Sequence, residues 1–226
     1  MINTTPDTIP SSREAAAGSA IYSKLILSIY DPLVMLFENH LVWKCPTKKI
    51  ISFYNHHISG NHLDVGVGTG YFLDKCRFPD TDPTVHLMDL NKNSLQVTAK
   101  RIKRYNPVIH HWNILETINL NLPRFDSICI GNILHCLPGD FTSKAIVFEN
   151  LKKYMNNDGI LFGLTILGKD VEAGLLYKLF NAMYNKLSIF TNLNDSYEDL
   201  EKVLQLHFHT YHLELVGSVA LFSCKL

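Results

Sequence analysis

The sequence predicts an α/β fold, in which a mostly parallel β-sheet is covered by helices on both faces. From residue 61 onward, short apolar runs alternate with segments whose apolar residues recur at helical spacing, which is the pattern of successive β-α-β units. A cluster of glycines separates the first apolar run from the helix that follows it. The last two apolar runs are joined by only a short turn near Gly217, so we expect them to pair as an antiparallel hairpin.

The first 60 residues precede this alternation and predict a tail followed by helices. Residues 1–15 are rich in Thr, Ser and Pro, which indicates a flexible tail. Residues 16–60 predict a helical prefix or cap, in which Asp31-Pro32 supplies the N-cap and first-turn proline of a second helix. A further short helix is predicted at residues 48–54. The first helix of the prefix carries apolar residues at helical spacing at Ile21, Leu25, Ile26 and Ile29.

Residues 61–226 predict the main domain. The strands that alternate with helices are predicted at residues 62–65, 85–88, 108–111, 127–130 and 160–166. Helices are predicted at residues 93–105, 141–155, 170–184 and 196–205. The closing hairpin is predicted from strands at residues 208–213 and 216–224. Together these elements predict a seven-stranded sheet.

The composition is that of a folded globular protein. Of the 226 residues, 46% are hydrophobic and 19% are charged, and the mean hydropathy is +0.03. This length fits one domain, or one domain with an extra lobe, since domains contain roughly 100 to 200 residues. Lys plus Arg total 21 and Asp plus Glu also total 21, whereas proteins that bind long nucleic acids usually carry a basic excess. We therefore expect no nucleic-acid partner.

The cysteines and the N-terminus favour a cytoplasmic location. The five cysteines are widely spaced and form no C-x-x-C pair, which predicts neither a disulfide framework nor a cysteine-based zinc site. The first residues have no basic region followed by an apolar one, as a secretory signal would. Residues 24–43 are the most apolar stretch, but they contain Lys24, Asp31, Pro32 and Glu38. A membrane span needs about 20 nearly uninterrupted apolar residues, so we expect no membrane partner.

The stretch Asp64-Val65-Gly66-Val67-Gly68-Thr69-Gly70 lies between the first predicted strand and a helix that opens at Tyr71. Glycines allow a tight turn and let a ligand lie against backbone N–H groups. Asp89 ends the next strand, where open α/β folds present a carboxylate to ribose hydroxyls. A nucleotide-like cofactor is therefore predicted. The glycine spacing is G-x-G-x-G, whereas dinucleotide-binding proteins have G-x-G-x-x-G, which leaves an NAD-dependent oxidoreductase as the weaker alternative.

An acid-x-G-x-G-x-G motif followed by a strand-ending acid resembles the class I S-adenosylmethionine-dependent methyltransferases, over residues 60–226. The resemblance implies a Rossmann-like, mostly parallel sheet whose final strand is antiparallel. It also implies S-adenosylmethionine as cofactor and S-adenosylhomocysteine as product. Residues around 170–195 lie where related enzymes insert a helical cover over the substrate. The general arrangement is similar to enzymes of small-molecule secondary metabolism.

The resemblance also implies a cofactor-binding set. Gly66, Gly68 and Gly70 would line the methionine and ribose portion, with Asp64 anchoring their loop. Asp89 would bind both ribose hydroxyls. The segments at the ends of the third and fourth strands complete the set. The remaining implied contacts are Leu90, Asn113 and Ile114 at the adenine, and Asn132 beneath the methionine moiety.

The acceptor is expected to be a small, apolar or aromatic molecule methylated on oxygen or nitrogen. Neither the Pro-Pro-aromatic motif of amino-methylating enzymes nor the Pro-Cys of cytosine-C5 enzymes follows the fourth strand. His135 is the candidate general base, because its ordinary pKa of about 6.5 suits proton transfer; a capping or packing role is the alternative. Candidate substrate contacts are Tyr22, Tyr30, Phe180 and Tyr184.

Other interpretations stay open at this point. The paired histidines lack nearby carboxylates or thiolates, so we expect no metal. The same fold could also serve without methyl transfer, as a regulatory cofactor-binding subunit or as a pericyclase or decarboxylase. The sequence does not identify the acceptor, the methylated atom or the oligomeric state, a homodimer included.

Overall fold

The computed structural model describes residues 33–172 and 174–226. Two helices precede the sheet, α1 (Leu33–Val42), which is wound as a π-helix, and α2 (Thr47–His57). The strands are β1 (Asn61–Val65), β2 (Thr84–Asp89), β3 (Val108–His111), β4 (Phe125–Gly131), β5 (Met155–Ile166), β6 (Thr210–Val216) and β7 (Val219–Lys225). The other helices are α3 (Tyr71–Lys75), α4 (Lys92–Arg101), α5 (Phe141–Lys144), α6 (Ile146–Lys152), α7 (Leu175–Lys186) and α8 (Tyr197–His207).

The seven strands form one sheet in the order β3-β2-β1-β4-β5-β7-β6. Neighbouring strands are parallel except at β7, which is antiparallel to both β5 and β6. The predicted seven-stranded α/β fold with an antiparallel final strand is therefore confirmed. The strand order changes direction between β1 and β4, and open α/β sheets bind ligands at such a switch point, outside the carboxyl ends of the strands.

The sheet is buried on both faces. Along β4, Ile128 and Ile130 belong to the hydrophobic core on one face, while Cys129 between them belongs to the core on the other. Leu161 and Phe162 of β5 divide between the two cores in the same way. Because successive side chains of a strand point to opposite faces, continuous apolar runs in β4 and β5 supply both cores.

The predicted helix at residues 141–155 is wrong at its end. It consists of the two short helices α5 and α6, and Met155 already begins β5. Met155 pairs with Phe125 of β4, with a register shift between Phe125 and Ser127, and this pairing lengthens β5 to 12 residues. An apolar residue fits a helix face and a strand equally well. Pairing with a neighbouring strand therefore determines whether Met155 ends the helix or begins β5.

The apolar helix α7 buries a different face from the expected one. Tyr177 and Asn181 are its buried residues, and Tyr177 Oη donates a hydrogen bond to the Leu167 carbonyl at 2.7 Å. The apolar spacing of Leu176, Phe180 and Tyr184 predicts a buried stripe that begins one residue earlier, which corresponds to a rotation of about 100° on a helix. The helix therefore presents an apolar face to solvent. Its exposed apolar side chains are Leu175, Leu176, Leu179 and Met183.

Part of the predicted prefix lies outside the described residues, namely the tail at residues 1–15 and the apolar positions between Ile21 and Ile29. The described part of the prefix is helical, as α1 and α2. Within residues 33–172 and 174–226, no helix has the length and apolar character needed to cross a membrane.

Candidate functional site

A cavity of about 340 Å³ lies at the carboxyl ends of the central strands. Its walls come from the segments that follow β1, β2, β3 and β4, together with parts of α1, α7 and the segment after α7. The residues predicted from the sequence that line it are Asp64, Gly66, Gly68, Gly70, Asp89, Leu90, Asn113, Ile114, Asn132, His135 and Tyr184. Phe180 does not line it and packs beside Tyr184 in the core. Tyr22 and Tyr30 lie outside the described residues.

The loop between β1 and α3 lines one wall of the cavity. Gly66, Gly68 and Gly70 all have positive φ, at +75°, +54° and +70°, a region that most side chains disfavour. A Cβ at Gly66 would lie 2.8 Å from Ile133 Cδ1, so the loop packs directly on the segment after β4. A Cβ at Gly68 would meet no atom within 4 Å. A ligand can therefore approach the backbone at Gly68 more closely than a side chain would permit.

Asp64 lies beneath this loop and is only 4% exposed. Its Oδ2 is 3.6 Å from His62 Nε2, and His62 Nδ1 is in turn 2.8 Å from Ser127 Oγ. Burial raises the pKa of the Asp64 carboxyl, and the interactions with His62 oppose that rise. Asp64 thus belongs to a buried polar network that joins β1 to β4 under the glycine loop.

Asp89 ties the end of β2 to the same loop. Its carboxylate accepts hydrogen bonds from the backbone N–H groups of Asn91, Gly68 and Val67, with Asn91 N at 2.7 Å from Oδ1. Burial raises the pKa of Asp89 to about 6, although these N–H groups lower it. The carboxylate therefore lies at the cavity wall where β1 and β2 end, and it is mostly ionised at neutral pH.

Two asparagines shape the segments after β3 and β4. Asn113 Oδ1 accepts a hydrogen bond from Leu115 N at 3.1 Å, and its Nδ2 donates to Glu116 Oε1 at 3.1 Å, so a turn fixes the orientation of the amide. Asn132 has φ +57°, and its N–H donates to the Leu164 carbonyl at 2.9 Å. Asparagine tolerates this left-handed conformation better than most residues, and the chain leaves the sheet there.

His135 is 3% exposed and lies on a short turn after β4. The Ile166 N–H donates a hydrogen bond to its Nδ1 at 3.2 Å. A backbone N–H can only donate, so Nδ1 carries the lone pair and the neutral ring carries its proton on Nε2. Burial, followed by the positive charge of Lys144, lowers the pKa of His135 to about 3.

This tautomer bears on the predicted chemistry of His135. The ring is neutral throughout the physiological range, and its hydrogen bonds with the Thr165 hydroxyl and the Ile166 N–H both involve Nδ1. A general base needs a lone pair on the nitrogen that faces the substrate. Nε2–H is instead a hydrogen-bond donor on a ring that lines the cavity. The role of His135 as general base stays a prediction, and this tautomer favours a hydrogen-bond donor.

Three aromatic rings form the end of the cavity beyond His135, and we call them the aromatic end. Trp43, Tyr184 and Phe190 all line the cavity. The ring centroids of Tyr184 and Phe190 are 4.8 Å apart, and those of Trp43 and Phe190 are 5.8 Å apart. Phe190 also lies edge to face against His135, at 4.5 Å. Such a surface suits a flat, apolar ligand.

Glu38 adds a carboxylate to the aromatic end. It is 2% exposed and lines the cavity, and Tyr184 Oη donates a hydrogen bond to its Oε1 at 2.5 Å. Sequence reasoning did not select Glu38, Trp43 or Phe190 as site residues. The sequence did contain a signal for Glu38, because this residue is an acid in a largely apolar helix. That acid was interpreted only as evidence against a membrane span.

The segment after α7 is fastened over the strand ends by a buried ion pair. Lys144 Nζ lies 2.6 Å from Asp195 Oδ2, and both side chains are fully buried. Lys144 also donates a hydrogen bond to the Thr191 carbonyl at 3.2 Å. The Thr191 N–H then donates to the His135 carbonyl at 2.8 Å. Through these bonds, α5 and the segment after α7 fix the backbone that carries His135.

Among residues 33–172 and 174–226, no group of three or more His, Cys, Asp or Glu side chains is arranged to hold a metal ion.

Comparisons with known proteins agree with this arrangement. A family model described as a methyltransferase domain matches residues 63–161. Demethylluteothin O-methyltransferase from Streptomyces thioluteus is 35% identical over 205 residues, which cover 91% of this chain and 89% of that protein. Methyltransferase aurB from Calcarisporium arbuscula is 36% identical over 220 residues, covering 90% and 94%. Among solved structures, a DhpI–SAH complex has a TM-score of 0.65 at 12% identity, covering 95% of this chain and 98% of that one.

Proposed function

This chain belongs to the class I S-adenosylmethionine-dependent methyltransferases, and from that premise we propose that it methylates a hydroxyl oxygen of a small aromatic molecule. Membership in this family makes the chain an enzyme that methylates small molecules, and it removes the NAD-dependent oxidoreductase from consideration. The choice of oxygen over nitrogen and the aromatic character of the acceptor are the proposal.

The residues around the glycine loop fit the cofactor. When bound, S-adenosylmethionine supplies a methyl group that its sulfonium sulfur makes electrophilic. In our proposal the backbone at Gly68, where no side chain intrudes, borders the methionine and ribose portion. The Asp89 carboxylate accepts hydrogen bonds from the ribose hydroxyls, and Leu90 and Ile114 contact the adenine. Asn132 lies under the methionine moiety, and Asp64 holds the loop from below.

The observation that carries the proposal is the continuity of one cavity from Asp89 to the aromatic end. The cofactor occupies the polar half in this proposal, so the acceptor occupies the half formed by Trp43, Tyr184 and Phe190. A flat aromatic ring fills such a space with little conformational entropy to lose. The name of the Streptomyces thioluteus relative specifies an O-methyltransferase, which supports oxygen as the methylated atom.

His135 positions the acceptor in this proposal. Its Nε2–H donates a hydrogen bond to the acceptor oxygen, while Nδ1 stays bound to the Ile166 N–H. A donor at this position stabilises the negative charge that the oxygen carries when its proton has left and the methyl group is not yet bound. It also fixes the direction of the remaining lone pair, and alignment is the main requirement of an in-line displacement.

The test compares acceptors that differ in one atom. The full-length protein is incubated with S-adenosylmethionine and, separately, 1-naphthol, 1-naphthylamine or 1-naphthalenethiol, and mass spectrometry detects the methylated product. We expect methylation of 1-naphthol at least tenfold faster than of the other two. Preferential methylation of the amine or the thiol would refute oxygen as the acceptor atom. If none of the three reacts but an aliphatic alcohol panel does, the aromatic character of the acceptor is refuted instead.

A further inference from the structure

Glu38 is a buried carboxyl group at the aromatic end that the proposed function leaves without a task. Its side chain comes from α1, is 2% exposed and lines the cavity. Acidic side chains are almost never buried to this degree unless they are paired. Among the described residues, no Lys, Arg or His forms an ion pair with it. Its hydrogen-bond partners are the neutral side chains of Tyr184 and Trp43.

The hydrogen bond from Tyr184 fixes the carboxylate in place. Tyr184 Oη lies 2.5 Å from Oε1 and can only donate to an ionised carboxylate. Tyr184 is itself held in a stack of rings with Trp43 and Phe190, at 6.2 Å and 4.8 Å. Tyr184 and Trp43 are thus the two hydrogen-bond donors to the Glu38 carboxylate, whose two oxygens can accept about four hydrogen bonds. Acceptor positions remain on a side chain that borders the cavity.

The two polar side chains of the aromatic end have opposite hydrogen-bonding characters. His135 presents Nε2–H, which donates, whereas Glu38 presents carboxylate oxygens, which accept. A hydroxyl group needs both, since its oxygen accepts one hydrogen bond and its proton makes another. A thioether, which has no proton to donate, would satisfy only one member of this pair. The pair of a donor and an acceptor in one apolar pocket thus matches the acceptor that the proposed function requires.

We propose that Glu38 is a catalytic residue that takes the proton from the acceptor hydroxyl during methyl transfer. This inference rests on the proposed O-methylation. The acceptor O–H bond breaks and its proton passes to a carboxylate oxygen of Glu38, while the acceptor oxygen bonds to the methyl carbon. The bond from that carbon to sulfur breaks, and its electron pair stays on sulfur, which becomes a neutral thioether. The protonated Glu38 then returns its proton to water.

The surroundings of Glu38 are compatible with this step. Burial raises its pKa, and hydrogen bonds from Tyr184 and Trp43 only partly offset the rise, so the carboxylate is a stronger base than an exposed one. The titratable groups that share its cavity come from every surrounding element. They are Tyr54 of α2, Asp64 of β1, Tyr71 of α3, Asp89 of β2, His135 and Cys136 after β4, and Tyr184 of α7.

The experiment replaces Glu38 with Gln, which keeps the size and the hydrogen bond to Tyr184 but removes the basic oxygen. Turnover is measured with a series of naphthols whose hydroxyl pKa values span several units. We expect kcat for 1-naphthol to fall by about 10²- to 10⁴-fold, the usual contribution of a general base. The loss should shrink for nitro-substituted naphthols, which ionise without help. We expect kcat of the wild-type enzyme to depend less on the pKa of the naphthol hydroxyl than kcat of E38Q does.

Binding of S-adenosylhomocysteine serves as the control for folding and for the cofactor site. We expect E38Q to bind it as the wild type does, and the exposed-surface variant Glu149→Gln to match the wild type in every assay. An equal loss of turnover for all naphthols would refute proton transfer to Glu38. Weaker cofactor binding with unchanged kcat would show that the carboxylate instead faces the cofactor's ammonium group. If E38Q does not bind the cofactor because it is unfolded, Glu38→Asp is used instead, which keeps the carboxylate but draws it back from the acceptor. We expect its loss of turnover to be smaller and again greatest for the least acidic naphthols, and an equal loss for all naphthols would refute the role of Glu38.

The same assays distinguish an error in the role of Glu38 from an error in the choice of oxygen as the methylated atom. If the wild type methylates only amines, the choice of oxygen is wrong whatever E38Q does. If the wild type methylates naphthols and E38Q does so equally fast at every hydroxyl pKa, only the task given to Glu38 is wrong.

Discussion

Asp89 shows how much a single residue reveals about the site. Its place after an apolar run, about 20 residues beyond the glycines, was enough to predict a carboxylate at the cavity, and the structure puts it there. The tautomer of His135 was beyond reach, because it depends on the N–H of Ile166, 31 residues away in sequence. The role of Glu38 was not evident from the sequence either, because the hydroxyl that donates a hydrogen bond to it belongs to Tyr184, 146 residues away.

Replacing Asp89 with Asn tests the ribose contact. Hydrogen bonds to a charged group contribute about 1.5 to 3 kcal/mol, so we expect affinity for S-adenosylhomocysteine to fall roughly 10- to 100-fold. The pKa of about 6 adds a pH signature. Wild-type affinity should fall as pH drops below about 6, because protonation removes the charge, whereas the affinity of the variant should change little.

Calorimetric titrations at pH 5, 6, 7 and 8 would measure both effects for Asp89. Asp158→Asn is the matched control, since that acid is exposed and lies away from the cavity. If the wild type and the Asp89 variant lose affinity in parallel as the pH falls, then Asp89 is not the group that titrates.

The sequence predicted which segments are helices and which are strands, but it was less accurate about where they end and which face of a helix is buried. Apolar spacing located the strands, because their runs supply both faces of the sheet. It misplaced the boundary at Met155, where pairing with Phe125 extends β5, and it set the buried face of α7 one residue early. Periodicity gives the spacing of an apolar stripe, but contacts such as Tyr177 with the Leu167 carbonyl decide which stripe is covered.

The Lys144–Asp195 pair is the contact that fastens the segment after α7 to α5. Lys144→Met would leave a buried carboxylate without a counter-charge, and breaking a buried pair in this way costs about 3 to 5 kcal/mol. We expect that loss in the free energy of unfolding measured with urea. The double variant Lys144→Met/Asp195→Leu should recover much of it, since no unpaired charge remains.

The exposed pair Lys202–Glu198 offers a comparison on the surface. Lys202→Met should leave the unfolding curve unchanged, because exposed ion pairs stabilise proteins little. Equal stability of wild type and Lys144→Met, or a double variant no more stable than the single one, would contradict a structural task for the buried pair.

At the scale of the whole molecule, the fold followed from the sequence because each βα unit carries its own local signal. The order β3-β2-β1-β4-β5-β7-β6 did not, because it records which strands pair at a distance. The closing hairpin was visible around Gly217, but nothing in its residues places β7 between β5 and β6. The resemblance to a known family implied only that the final strand is antiparallel.

Cofactor binding should stabilise the entire chain, because the segments after four different strands line the cavity. A ligand at 100 times its Kd stabilises a protein by about 2.7 kcal/mol. For a domain of this size, that corresponds to a rise in Tm of roughly 5 to 10 °C. We expect S-adenosylhomocysteine to produce this rise in a thermal unfolding experiment, while NAD at the same concentration produces none. A rise in Tm with NAD and none with S-adenosylhomocysteine would contradict S-adenosylmethionine as the cofactor.

The position of β7 has a consequence for how the molecule is made. This strand is hydrogen-bonded to β5 on one side and β6 on the other, yet it comes after both in the chain. As the polypeptide emerges from the ribosome, β6 has no strand to join until β7 has also been synthesised. Pairings such as Leu161 with Cys224 span a long stretch of sequence and form slowly. The sheet is therefore completed by its last-made strand, and a ribosome that stalls before β7 would leave both neighbours with open edges.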